Sequence, residues 1–150
     1  MITVIVSGYF NPLHVGHLDY FEAAKRLGDR LWVIVNNDTQ VALKGSVPFM
    51  TALDRFRIVN SLEVVDMAFL SADEDRSVCE TLRKVVLDAR RDNWSMVWKH
   101  EFIFANGGDA TKDTVPENDV CDKLGIKAVY GVVPQLRESS KILAAAGVTK

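Results

Sequence analysis

The chain has only two cysteines in 150 residues, Cys79 and Cys121, and no CxxC pair. Neither a zinc site nor a disulfide framework is signalled, and both thiols read as buried or half-buried groups of a reducing compartment. An excess of charge is missing too, since 18 Lys and Arg stand against 20 Asp and Glu for a net charge of -2. That balance argues against coating nucleic acid or a membrane surface, while leaving room for a few cations around a small polyphosphate. No apolar run approaches the ~20 residues needed to cross a bilayer. The first residues lack a basic segment and cleavage site, so no secretory signal is read. Internal repeats, low-complexity segments and linkers are absent, as are Ser-His-Asp and Cys-His arrangements. No GxGxxG follows the first apolar run, which disfavours a dinucleotide-dependent oxidoreductase. The expectation is one soluble, cytoplasmic domain over residues 1–150, long enough to bury a real core.

What is present centres on Ser7 to His17. An apolar run, Ile2 to Val6, reads as a buried strand. Leu18 to Leu27 carries apolar residues at helical spacing and stops at Gly28. Between them lies a turn with Gly8 and Pro12, then His14-Val15-Gly16-His17. Taken alone, either histidine reads as a cap or a partly buried polar residue. Together, three apart and at the start of a helix, they face one point where the positive end of the helix dipole favours a phosphate.

Leu31 to Val35 is a second apolar run, ending in Asn36-Asn37-Asp38, so the opening reads as a strand-helix-strand unit with a right-handed crossover. The polar ends of both strands then share one sheet edge, where ligands bind in open α/β sheets. Thr39 to Phe49 is expected to be a loop bearing one cation, Lys44. Thr51 or Asp54 starts a helix carrying Arg55 and Arg57. Val64 to Leu70 reads as a strand, Ser77 to Arg90 as an amphipathic helix, and Trp94 to His100 as an extended segment or loop. His100 reads as a surface or packing residue. Glu101 to Ala105 is a strand followed by Asn106-Gly107-Gly108-Asp109, whose glycines allow positive φ and close approach to a ligand. Pro116 to Leu124 reads as a helix closed by Gly125, Lys127 to Val133 as the last strand, and Glu138 to Ala146 as a terminal helix. The expected class is α/β, a Rossmann-like parallel sheet of about five strands with helices on both faces.

Gly8 to His17 resembles the HxGH signature of the nucleotidyltransferase superfamily, in particular its cytidylyltransferase-like branch. The similarity is close from Val4 to Asp66 and partial from Phe104 to Leu143. His14, Gly16 and His17 match the motif. Phe10 and Asn11 stand where the family has an aromatic followed by Asp, and Tyr9 where a small hydroxyl is common. Lys44 matches the loop lysine, and Arg55 to Asp66 the Arg-rich helix leading to a Val-Asp pair. Asn106 to Asp109 resembles the Gly-Gly-Asp turn of the heptose-phosphate branch. Arg137 to Ile142 resembles the closing Ser/Thr-rich helix start.

The resemblance implies transfer of a nucleotidyl group, CMP favoured and AMP possible, from CTP or ATP to a small phosphorylated acceptor with release of pyrophosphate. It implies catalytic roles for His14, His17 and Lys44. Nucleotide contacts follow at Gly8, Tyr9, Phe10, Gly16, Asp109, Ser139 and Ser140, and substrate or phosphate contacts at Asp38, Arg55 and Arg137. Magnesium travels with the nucleotide rather than in a protein cage, and a homodimer is implied. The alternatives are an ATP-dependent heptose-phosphate-type adenylyltransferase and a nucleotide-binding module without turnover.

Overall fold

The computed structural model describes residues 1–92, 100–108 and 110–132. In β1 (Ile2–Gly8), Val4 and Val6 enter one apolar layer and Ile5 the other, as the two-residue period of a strand buried on both faces requires. The same division runs through β2 (Arg30–Val35), with Leu31, Val33 and Val35 on one side and Trp32 and Ile34 on the other. Helices α1 (Val15–Lys25) and α3 (Ala52–Asn60) cover the first face through Phe21, Ala24 and Val59. Helix α4 (Cys79–Arg91) presents Leu82, Val85, Val86 and Ala89 to the second face, an i, i+3, i+4, i+7 stripe. Helix α5 (Asn118–Leu124) adds Cys121 there and ends at Gly125, whose φ of 67° is the left-handed cap expected of that glycine.

The remaining strands are β3 (Met67–Leu70), β4 (Glu101–Ala105) and β5 (Lys127–Val129). Among the described residues all pairings are parallel, and the five strands lie in the order β3-β2-β1-β4-β5. The expected Rossmann-like sheet is what forms. Its order reverses between β1 and β4, so the switch crevice opens at their carboxyl ends, beside the histidine loop and the Asn106–Gly108 turn.

Local differences have physical reasons. The segment expected as a loop contains a short helix, α2 (Asp38–Leu43). It is nucleated by a reciprocal capping box between Asn37 and Gln40 and anchored by buried Val41. Strand β3 begins only at Met67, because Val65 turns back toward Leu62 and joins the layer under α3. The last strand stops at Val129 rather than Val133. His100 packs at the opposite, amino edge of the sheet, its Nε2 2.8 Å from Thr3 Oγ1 and its ring 4.3 Å from that of Phe102. Most of the expected Trp94–His100 segment, and all of the Glu138–Ala146 helix, lie outside the described residues.

Candidate active site

The turn after β1 is shaped by Phe10. Its φ is 51°, a left-handed conformation that costs a non-glycine residue about 1 kcal/mol or more. Burial of the ring offsets that cost: Phe10 is 2% exposed and meets Phe21 edge-on at 5.2 Å. The ring lies against Gly8, where an added Cβ would stand 2.7 Å from Phe10 Cζ. Phe10 also meets the His17 ring edge-on at 5.0 Å. The Phe10 ring is thus packed beneath His17, and Gly8 is small to admit that ring, so both residues position His17.

The two histidines form a reciprocal cap on α1. The backbone N–H of Gly16 donates to His14 Nδ1 at 3.1 Å, and that of His14 donates to His17 Nδ1 at 3.1 Å. An Nδ1 that accepts cannot carry the proton, so each ring, when neutral, bears it on Nε2. The rings lie 3.9 Å apart at an interplanar angle of 33°. The N–H of His17 bonds to the His14 carbonyl. The N–H groups of Gly16 and His17 are engaged within the cap. The pull of the helix start reaches a ligand through the imidazoles, because a hydrogen bond accepted at Nδ1 polarises the Nε2–H. No acidic residue occupies the first turn of α1 to oppose an anion.

Burial, with the positive charges of His14 and Lys44 behind it, lowers the His17 pKa from 6.5 to about 3. His17 is therefore a neutral Nε2–H donor at physiological pH. Because the folded value lies below the unfolded one, its contribution to stability is complete above about pH 6.5 and is lost as the pH falls toward 3. Ring resonances of His17 recorded by NMR should keep the neutral Nε2–H pattern until the pH approaches 3. A protonation midpoint near 6.5 would overturn this account of the site's electrostatics.

Lys44 ends α2, exposed, with its ammonium 4.5 Å from the centroid of the Tyr9 ring. The bulky Tyr9 thus serves as a cation–π rest for the lysine. His14, His17, Tyr9 and Lys44 are brought together at the carboxyl edge, two ring donors and a cation suited to phosphate oxygens.

Beneath them lies a buried clamp. Arg55 is 1% exposed, with Nη1 donating to the carbonyls of Tyr9 and Asn36 at 2.7 Å each and Nε to that of Met50 at 3.2 Å. Its Nη2 pairs with Asp38 Oδ1 at 2.8 Å. The guanidinium, expected to contact substrate or phosphate, lies buried under the site and fixes three backbone segments around it. Asp38, whose side chain is partly exposed, holds Arg55 and accepts from the Ala52 N–H. Gln40, fully buried, accepts from Asn36 Nδ2 and the Asn37 N–H and donates to the carbonyls of Asp75 and Ser77.

Sequence reading missed Asn11, Asn36 and Gln40, although the Asn37-to-Gln40 capping spacing was there to find. Gly108 has the positive φ, 60°, that its turn suggested. Asp109, Arg137, Ser139 and Ser140 lie outside the described residues.

Comparison with known proteins extends the picture. The model of the cytidylyltransferase-like family matches residues 5–144. An FAD synthase of Methanocorpusculum labreanum is 39% identical over 95% of this chain and 94% of its own. The bifunctional protein HldE of Methylobacillus flagellatus is 36% identical over 93% of this chain, which spans only 26% of that longer protein. A crystal structure of a lipopolysaccharide core biosynthesis protein from Thermoplasma volcanium superposes with a TM-score of 0.62 at 29% identity, covering 87% of this chain and 94% of that one.

Proposed function

The chain belongs to the cytidylyltransferase-like family and is a nucleotidyltransferase, and from that premise we propose that it moves AMP from ATP to the phosphate of flavin mononucleotide, releasing pyrophosphate. The sequence favours CMP and allows AMP. Near-full-length similarity to FAD synthases supports AMP, since joining AMP to a flavin mononucleotide makes FAD. The observation that carries the chemical reading is the pair of Nε2–H imidazoles beside Lys44 at the switch crevice.

In this reading an oxygen of the acceptor phosphate attacks the α-phosphorus in line. One P–O bond forms as the bond to pyrophosphate breaks. No protein nucleophile is required, because the acceptor is already anionic. The obstacle is bringing two anions together while charge grows on the leaving group, so orientation and placed donors do the catalysis. His14 and His17 donate through Nε2 to the α- and β-phosphates, and His17, being neutral, needs no proton from solvent. Lys44 closes over the phosphates from Tyr9. Ser139 and Ser140 hold the β- and γ-phosphates, Arg137 adds a cation, and Asp109 reaches base or ribose. Magnesium arrives on the triphosphate and neutralises part of its charge. The imidazoles and the ammonium gathered here suit phosphate oxygens rather than a metal ion.

A second reading, AMP transfer to a heptose-type sugar phosphate, is favoured by the similarity to HldE. Pyrophosphate release with ATP and CTP in parallel, against flavin mononucleotide and a panel of sugar and polyol phosphates, separates the two. ATP with flavin mononucleotide should release pyrophosphate and form FAD. Release only with a heptose phosphate moves the assignment to the second reading, and release only with CTP overturns adenylyl transfer.

A further inference from the structure

We propose that Asn11 is a positioning residue that latches the lysine loop to the histidine loop, and that it can do so because it is an amide. Asn11 is 9% exposed. Its Nδ2 donates to the Val47 carbonyl at 2.8 Å, and its Oδ1 accepts from the Phe49 N–H at 2.6 Å. One side chain thus makes a two-point bond to the segment that leaves Lys44, from a position three residues before His14.

That segment has little else of its own to hold it. Val47 and Phe49 are 73% and 56% exposed, so apolar burial contributes little. Gly45, with φ of 86°, lets the chain turn sharply after Lys44. The far end is fixed by Arg55 at Met50, and the near end by Lys44 resting on Tyr9. Asn11 supplies the fixed point in the middle. The ammonium and the two imidazoles belong to different loops, so the latch sets the distance between the cation and the ring donors before any nucleotide arrives.

The amide is chemically necessary. A carboxylate in its place could still accept from Phe49 but would set an anionic oxygen against the Val47 carbonyl, where the donor now stands. The resembled family usually has Asp at this position. Protonating such a carboxyl restores the missing donor, because a carboxylic acid offers one O–H and one acceptor, as the amide does.

Asn11→Asp and Asn11→Ala test this, each compared with wild type at pH 7 and about pH 5. The charged and titratable groups around position 11 are His14 and His17 of the motif, Lys44 of the lysine loop, and Arg55 with Asp38 beneath. Wild type carries them all, so comparison at equal pH cancels their titration. Hydrogen exchange of the Phe49 amide reads the latch without reference to activity, and binding of ATP and CTP reads its effect on the phosphate site.

At pH 7, repulsion between the carboxylate of Asn11→Asp and the Val47 carbonyl should push the segment off position 11 and break the Phe49 bond with it, so Phe49 should exchange faster and nucleotide should bind about tenfold more weakly. Burial against the Val47 carbonyl raises that carboxyl above its ordinary value of about 3.9, so both defects should shrink at about pH 5, whereas those of Asn11→Ala should not. If the aspartate variant folds poorly at pH 7, return toward wild type at the lower pH is still required. Unchanged Phe49 exchange, or an aspartate variant that tracks alanine at both pH values, overturns the latch. Faster exchange with unchanged nucleotide affinity overturns its connection to Lys44. The latch rests on the phosphate-site reading only for that second measurement, so a wrong choice of acceptor leaves the exchange result standing.

Discussion

Replacing His17 with asparagine should lower turnover at least about a hundredfold while leaving the folded state nearly as stable as wild type. The geometry separates the two jobs of this ring. Its Nδ1 accepts from the His14 N–H and so caps α1. Its Nε2 carries the proton that the proposed chemistry uses. An asparagine oxygen sits close to where Nδ1 stands, so the cap survives and the distal donor is removed. Alanine removes both groups at once. His17→Ala should therefore lose turnover to a similar degree and in addition give up roughly 1 kcal/mol of stability, the usual worth of a capping bond. Turnover with urea denaturation of both variants checks the assignment. Near-wild-type turnover in His17→Asn would remove His17 from the chemistry. Turnover that follows stability, nearly kept in His17→Asn and lost in His17→Ala, would make it a cap alone.

The second large effect is on stability. Arg55→Leu should cost about 3–5 kcal/mol, well above the effect of Asp38→Asn, which should stay below about 1 kcal/mol. The ion pair is the conspicuous feature, but the Asp38 side chain is 45% exposed, and solvent weakens a pair with one partner so open. The backbone acceptors decide the outcome. The Arg55 side chain has no exposure, and its removal strips the carbonyls of Tyr9, Asn36 and Met50 of a charged donor. Lysine does not substitute, because a single ammonium cannot span acceptors arranged for the guanidinium fork. Urea unfolding of the variants measures the contrast. Equal losses for Arg55→Leu and Asp38→Asn would return the weight to the ion pair. A loss below about 1 kcal/mol for Arg55→Leu would mean the clamp is dispensable.

Periodicity alone carried much of the fold. The apolar runs at Ile2–Val6 and Leu31–Val35 suit strands buried on both faces, and the Leu82, Val85, Val86, Ala89 stripe places α4. The location of the candidate site was equally legible. His14 and His17 follow a strand and open a helix, and polar residues end the neighbouring strand, so the chain's local order directs them to one edge. What the sequence could not contain was the direction in which Arg55 points. It sits four residues before buried Val59 in α3, on the inward stripe, and its acceptors come from Tyr9, Asn36 and Met50, which only the packed sheet brings within reach.

The same limit explains Phe10, whose ring fills the layer beneath His17. It explains α2 as well, a six-residue helix whose buried Gln40 is satisfied by carbonyls 35 and 37 residues away. Elements and motif were local properties, set by spacing of three to four residues or two. Side-chain roles, whether facing the phosphate or bracing what faces it, were fixed by partners distant in sequence. A polar group's destination depends on which donors and acceptors the fold leaves beside it after water has been excluded.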